Sequence, residues 1–272
     1  MKVALCISGL LREYKTAWQQ SLKPMFADRY GSDVFVSVWD DIGYWSPGDS
    51  KTPNGFFNSR KVSKQELCDV YQTNNVIIEN FEETTPILDK QTAHFPEFFI
   101  ESISHSNFMA RRINTTSLFY KKKSVVDLMI SSGNKYDLVI RTRPDISFHN
   151  DWPAFESSKF YTIEGLMHEQ IRDHVRYGIN DNFQASSMEN IVKYTRVFDR
   201  FEELFLFCNK VFCPHIFSLA ILDINNIERT QCAIPYSILH TPHGQYFTPD
   251  KSGEWKHVSK ANYDKKEGRF QG

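Results

Sequence analysis

Hydrophobic and polar positions switch between two periods along the first half of the chain. Lys2-Val-Ala-Leu-Cys-Ile-Ser8 is a continuous apolar run ending at Gly9, the pattern of a strand covered on both faces. Trp18, Leu22 and Met25 recur at helical spacing and predict a helix over 13–25. Asp33-Val-Phe-Val-Ser-Val-Trp39 predicts a second strand, closed by Asp40 and Asp41, and Val76-Ile-Ile78 a third, with a helix from Ser63 to Tyr71 between them. A Pro-containing connection leads to a long helix predicted over 106–132 and stopped by Ser131-Ser-Gly133-Asn134. Tyr136-Asp-Leu-Val-Ile-Arg141 is a fourth strand and Phe160-Tyr-Thr-Ile163 a fifth.

In the second half, Ser186 followed by Glu189 matches a capping box. The helix it opens carries Met188, Ile191, Val192, Thr195 and Phe198 along one face. A helix over 214–225 and a strand over 233–239 follow. Strands separated by helices require right-handed crossovers, so the pattern predicts an α/β fold with a mostly parallel central sheet flanked by helices. Residues 1–247 read as one domain and the polar, Gly- and Lys-rich 248–272 as a loosely ordered tail. The connection from Gly43 to Ser59 is polar, longer than most, and punctuated by Tyr44, Trp45, Phe56 and Phe57, which marks it as a functional loop.

Composition narrows the function classes. The 272 residues are 41% hydrophobic and 24% charged, as in ordinary globular proteins, which excludes disordered and fibrous chains. Lys and Arg total 32 against 33 Asp and Glu, so there is no basic surplus for bulk attraction to nucleic acid. No apolar run reaches the roughly 18 residues of a membrane span. The stretch 3–7 is too short for a signal-peptide core and has no small-residue cleavage site after it, so the chain reads as soluble and cytoplasmic. Cysteines stand at 6, 68, 208, 213 and 232. Cys208 and Cys213 lie near His215 but match no common zinc spacing, and read as buried thiols.

Candidate chemistry gathers where strands end. Arg141-Thr-Arg143-Pro-Asp145 follows the fourth strand, and ligands of open α/β sheets bind beyond the carboxyl ends of strands. Two guanidiniums there suit a phosphate grip. Asp145 suits a divalent cation or a sugar hydroxyl; a plain Arg–Asp lock is the structural alternative. Ser8-Gly9-Leu-Leu-Arg12 closes the first strand, where Gly9 admits close backbone approach and Arg12 reaches a phosphate, or where the glycine serves only a turn. Gly178-Ile-Asn-Asp181-Asn182-Phe183 offers Asp181 as a general base beside two carboxamides, or simple Asx-turn chemistry. His240 and His243 follow the last strand, and His243 is a candidate to complete a metal site with Asp145. Arg111, Arg112 and Lys121 to Lys123 punctuate the long helix and read as a solvated basic stripe.

Taken in order, several segments resemble a family of bacterial and viral glycosyltransferases with a GT-A-like fold, including lipopolysaccharide-synthesis proteins. The segments are Ile7-Ser-Gly-Leu-Leu-Arg12, Asp33-Val-Phe-Val-Ser-Val-Trp39, Ser117-Leu-Phe-Tyr-Lys121, Tyr136 to Asp145, and Asn180 to Phe183. The resemblance covers about residues 1–200. It implies a GT-A-like nucleotide-sugar-binding fold and transfer of a sugar, from a UDP-sugar or related donor, onto an acceptor hydroxyl. Asp181, Arg143 and Arg141 would be catalytic, and Ser8, Gly9, Arg12, Asp145 and Asn182 donor-binding. The family-level acceptor is a surface-glycan saccharide. A phage DNA glycosyltransferase acting on hydroxymethylated bases such as hydroxymethylcytosine, gripping DNA through the 111–123 stripe, is the alternative. A non-catalytic nucleotide-sugar-binding module is a third reading. GT-A enzymes hold Mg²⁺ or Mn²⁺ with Asp-x-Asp; here Arg141-x-Arg143-x-Asp145 stands in that place, so the arginines can replace the cation.

Overall fold

The computed structural model describes residues 1–42, 44–46, 55–57, 61–96, 98–103, 106–149, 154–163, 167–171, 174–239, 245–249 and 255–258, with backbone alone within 44–57, 98–111, 167–177 and 245–258. Seven strands make the central sheet: β1 (Val3–Gly9), β2 (Asp33–Trp39), β3 (Val76–Glu79), β4 (Leu138–Thr142), β5 (Phe160–Ile163), β6 (Phe183–Ser186) and β7 (Arg229–Cys232). Their spatial order is β7-β5-β6-β4-β1-β2-β3. β1 pairs in parallel with β2 and β4, β2 with β3, and β5 with β7. Only β6 runs the other way, between β4 and β5. The protein is therefore mixed α/β with a mostly parallel sheet.

Period-two alternation explains the two cores. Val3, Leu5 and Ile7 of β1 point to one face, with Val34, Val36, Val38, Leu138 and Ile140 beside them. Against that face pack α1 (Tyr14–Ala17), which continues as a π-helical segment Trp18–Asp28, and α2 (Lys64–Tyr71). Ala4, Cys6, Phe35 and Val139 point to the opposite face, under α4 (Arg112–Ser131), α5 (Met188–Thr195), α6 (Phe201–Phe207) and α7 (Pro214–Ile224). Between β3 and α4 lies α3 (Phe81–Gln91), capped by the Asn80 side chain, which accepts from the Glu83 N–H at 3.0 Å. The chain lays β1, β2 and β3 outward in one direction, then returns to place β4 on the other side of β1. Strand order thus reverses between β1 and β4, and such sheets bind ligands at the carboxyl ends flanking that reversal.

Several boundaries differ from the sequence expectation. The long helix begins at Arg112, because Ser106–Arg111 instead pairs antiparallel with the aromatic and β-branched Phe98–Ile103. Residues Phe81–Gln91 are helical although Pro86 lies inside, where the proline removes one hydrogen bond without ending the helix. The cap of α5 is Ser187, whose hydroxyl accepts from the Asn190 N–H; Ser186 ends β6 and donates to the Lys159 carbonyl at 2.8 Å. The strand expected over 233–239 is confined to Tyr236–Ile238, and the unexpected β7 precedes it in a different sheet. Tyr236–Ile238 joins Ile146–Phe148, Gln245–Pro249 and Trp255–Val258 in a four-stranded antiparallel sheet that continues the chain leaving β4. Among the described residues, no helix is long and apolar enough to cross a membrane.

Candidate functional site

Three segments far apart in sequence meet at the strand-order reversal. β1 delivers Ser8, Gly9 and, just beyond, Arg12; β4 delivers Arg141, Arg143 and Asp145. Because β6 is antiparallel, its start lies at the exit of β4, with Phe183 opposite Thr142, and this brings Asn180, Asp181 and Asn182 to the same edge. Gly9 turns the chain with φ +126°, a value that suits only glycine, and Pro144 Cδ packs 3.8 Å from where a Cβ would stand. Arg12 itself has φ +41°, fixed by its N–H donating to the Ile42 carbonyl at 2.9 Å. That strained backbone aims the guanidinium across the exit of β4.

There it meets Asp145. Arg12 Nη1 donates to Asp145 Oδ2 at 2.9 Å, while Arg143 Nε and Nη2 grip Oδ1 and Oδ2 at 2.8 Å each. Arg143 Nη1 donates to Asn182 Oδ1 at 3.1 Å. The Asp145 side chain is wholly buried, that of Arg143 21% exposed. Burial pulls the Arg12 guanidinium down to about 10 while the Asp145 carboxylate pushes back up, so Arg12 stays charged at neutral pH. Of the five N–H groups of Arg143, those on Asp145 and Asn182 leave one each on Nη1 and Nη2 without an acceptor among the described residues.

Asp145 does not fit the expected cation role. Both its oxygens are held by guanidiniums, and a metal ion there would have to displace or oppose two fixed positive charges. Among the described residues no group of three His, Cys, Asp or Glu side chains is arranged to hold a metal. His240 and His243, the second offered as its fellow ligand, lie outside the described residues, as do the side chains of the aromatic loop from Gly43 to Ser59.

Arg141 also corrects the expectation. Alternation along β4 puts it on the face of Val139, under α4, and not into the crevice with Arg143. Its side chain is fully buried. Nε and Nη2 donate to the Ser8 hydroxyl at 3.3 and 3.1 Å, and Nη1 to the Asp181 carbonyl at 2.6 Å and Gln184 Oε1 at 3.3 Å. Arg141 thus ties β1, β4 and the start of β6 together from inside and positions Asp181; it does not grip a diphosphate directly. Burial draws its guanidinium down to about 10.

Behind Arg141 stands a group that the sequence reading missed. Lys122 is fully buried; its Nζ lies 3.4 Å from Asp181 Oδ2 and donates to Tyr194 Oη at 3.2 Å. Tyr194 in turn donates to the Ser218 hydroxyl at 3.0 Å. His215 Nε2 sits 3.6 Å from the other oxygen, Asp181 Oδ1. Burial works to raise the Asp181 carboxyl, but Lys122, His215 and Arg141 overcome it and hold the group well below the usual carboxylate range. Burial lowers Lys122 to about 7 against the pull of Asp181.

A signal for Lys122 existed: Phe119, Lys122, Val126 and Met129 form one helical stripe, so the lysine lies among core residues. The basic run was expected as a solvated face, and it is not one. Lys121 is buried against Glu79 and over the Trp39 ring at 4.0 Å, Arg112 is buried on Asp89 and the Phe95 carbonyl, and only Lys123 of the described members is partly exposed. Arg111's side chain lies outside the described residues. Of the stripe offered as a DNA grip, Arg112, Lys121 and Lys122 therefore keep their charge inside the protein. Cys208 and Cys213 are buried, as expected. Compared with known proteins, the chain matches no family model and no curated protein sequence.

Proposed function

We propose that this chain is a nucleotide-sugar-dependent glycosyltransferase of GT-A-like fold, with a saccharide hydroxyl as acceptor. What supports the reading is the meeting of Gly9, Arg12, Arg143, Asp181 and Asn182 at the strand-order reversal, where two N–H groups of a half-buried arginine have no acceptor among the described residues.

Glycosyl transfer must stabilise a departing diphosphate while an acceptor oxygen attacks the anomeric carbon. Fixed positive charge aimed at the developing negative charge supplies much of that stabilisation. Arg143 takes the diphosphate in this reading, its planar fork already held in place by Asp145 and Asn182. Arg12, buried behind the same carboxylate, adds a second positive charge at short range. Ser8 and Arg141 keep the strand exits in register, and Asp181 marks the side where the acceptor loses its proton. Asp145 is committed to its two arginines, and the guanidiniums supply the positive charge at this exit.

The experiment is a survey of UDP-, GDP- and dTDP-sugars with the full chain, following release of the nucleoside diphosphate. Turnover of one donor, lost in Arg143→Ala with the fold intact, is the expected result. Stabilisation by a donor with no turnover at any pH would leave a binding module, and no effect of any nucleotide sugar would overturn the proposal.

A further inference from the structure

Resting on the glycosyl-transfer reading, a second question concerns where the acceptor's proton goes. Asp181 alone is a poor answer, since the surrounding positive groups hold its carboxylate strongly ionised. His215 is the neighbour whose side chain normally exchanges a proton near neutrality. The two side chains are 10% and 12% exposed, whereas those of Lys122 and Arg141 are fully buried.

The placement of His215 is tightly built. It stands in the first turn of α7, directly after Pro214 at the helix start. Its carbonyl accepts from the Ile179 N–H at 3.2 Å. Gly178 lies so close that a Cβ there would fall 2.6 Å from His215 Cβ and 2.8 Å from its carbonyl carbon. The segment carrying Asp181 is thus pinned against the backbone of the histidine. Lys122 occupies Asp181 Oδ2 and leaves Oδ1 to face the imidazole. A base oriented by a carboxylate, itself fixed by a third group, is the arrangement that general-base sites use.

We propose that the Asp181–His215 pair is the proton acceptor of the reaction, with His215 the group that carries the proton and Asp181 the carboxylate that orients it. In the step, the acceptor O–H bond breaks and the oxygen bonds the anomeric carbon. The bond from that carbon to the diphosphate oxygen breaks, its electron pair leaving with the diphosphate. The proton passes to Nδ1, the other ring nitrogen of His215, while the Nε2–H stays directed at Asp181 Oδ1. Facing the pair among the described side chains are Lys122 from α4, Tyr194 from α5, Arg141 and Arg143 from β4 and its exit, and Tyr236 from the strand Tyr236–Ile238. The strand His174–Gly178 packs on α7 and carries His174, Arg176 and Tyr177, whose side chains lie outside the described residues.

Two readouts test this. Histidine-ring NMR titration of the full chain, without any ligand, follows His215 in the parent and in Asp181→Asn. Losing the carboxylate lowers its midpoint by about one pH unit; an unmoved midpoint overturns the pairing. In the donor survey above, His215→Gln lowers the release of nucleoside diphosphate about a hundredfold, removes the acidic limb of the rate profile and leaves donor KM unchanged. An undiminished rate, or a retained limb, overturns the role of His215. Asp181→Asn, whose melting is checked in parallel, serves as the second variant if His215→Gln folds poorly. If the parent turns over no donor at all, the glycosyl-transfer reading fails and the proton step with it, while the NMR arm still decides whether the pair is coupled.

Discussion

Asp145→Ala removes the one carboxylate between two guanidiniums, and the structure fixes how severe that is. Three charge-assisted hydrogen bonds of 2.8–2.9 Å converge on a side chain with no exposure. Without it, Arg12 and Arg143 face each other as like charges. Arg143, 21% exposed, can turn partly to water, so its share is discounted; Arg12 is 8% exposed, with its backbone held at φ +41°, and cannot. Breaking a buried pair in this way costs about 3–5 kcal/mol, or roughly 10 °C in melting temperature for a chain of this size. Urea unfolding of the parent, Asp145→Ala, Arg12→Met and the double variant gives the coupling directly. The double variant should recover part of the loss, because the orphaned cation is gone. The same exposed charge should make Asp145→Ala bind inorganic pyrophosphate more tightly than the parent does, although it is less stable. A loss under about 1 kcal/mol, or weaker pyrophosphate binding, would refute the view of Asp145 as a lock that frames Arg143.

Two further outcomes follow from the buried groups. Lys122 has a folded pKa of about 7, below its unfolded value of 10.5, so the unfolded chain binds the extra proton between those limits. The contribution of Lys122 to stability therefore rises with pH from about 7 to about 10.5, and unfolding of the parent against Lys122→Met across that window should show the parent gaining; a constant difference would contradict the burial of a charged lysine. Gly178→Ala forces a Cβ onto the His215 backbone and should cost about 1–3 kcal/mol by overpacking, measured by urea unfolding. Its histidine-ring NMR signal should shift as well, and an unchanged His215 resonance would argue against the close packing.

What the sequence revealed, and what it hid, has physical causes. β1, β2 and β4 were legible because strands covered on both faces need unbroken apolar runs, and those runs ended at Gly9, Trp39 and Arg141. Their exits also showed where polar residues would gather. Arg141 was assigned to the crevice because its charge drew more weight than its parity with Val139, and parity decides which face a strand residue occupies. Lys122 was hidden within a run of three lysines that looked solvent-facing, although Phe119 and Val126 set it in an apolar stripe. His215 was weighed only against two cysteines, while its partner Asp181 reaches it across the fold. β6 escaped notice because four residues hold too little periodicity, yet its reversed direction is what carries Asp181 to the site.

The most direct measurement is calorimetric titration of UDP, GDP and dTDP into the parent and Arg143→Ala, with melting checked in both. A nucleoside diphosphate should bind the parent, and Kd should weaken at least about tenfold, roughly 1.4 kcal/mol, when the guanidinium is removed. Equal affinity in the two proteins, or no binding of any of the three, would contradict a diphosphate site at the exit of β4.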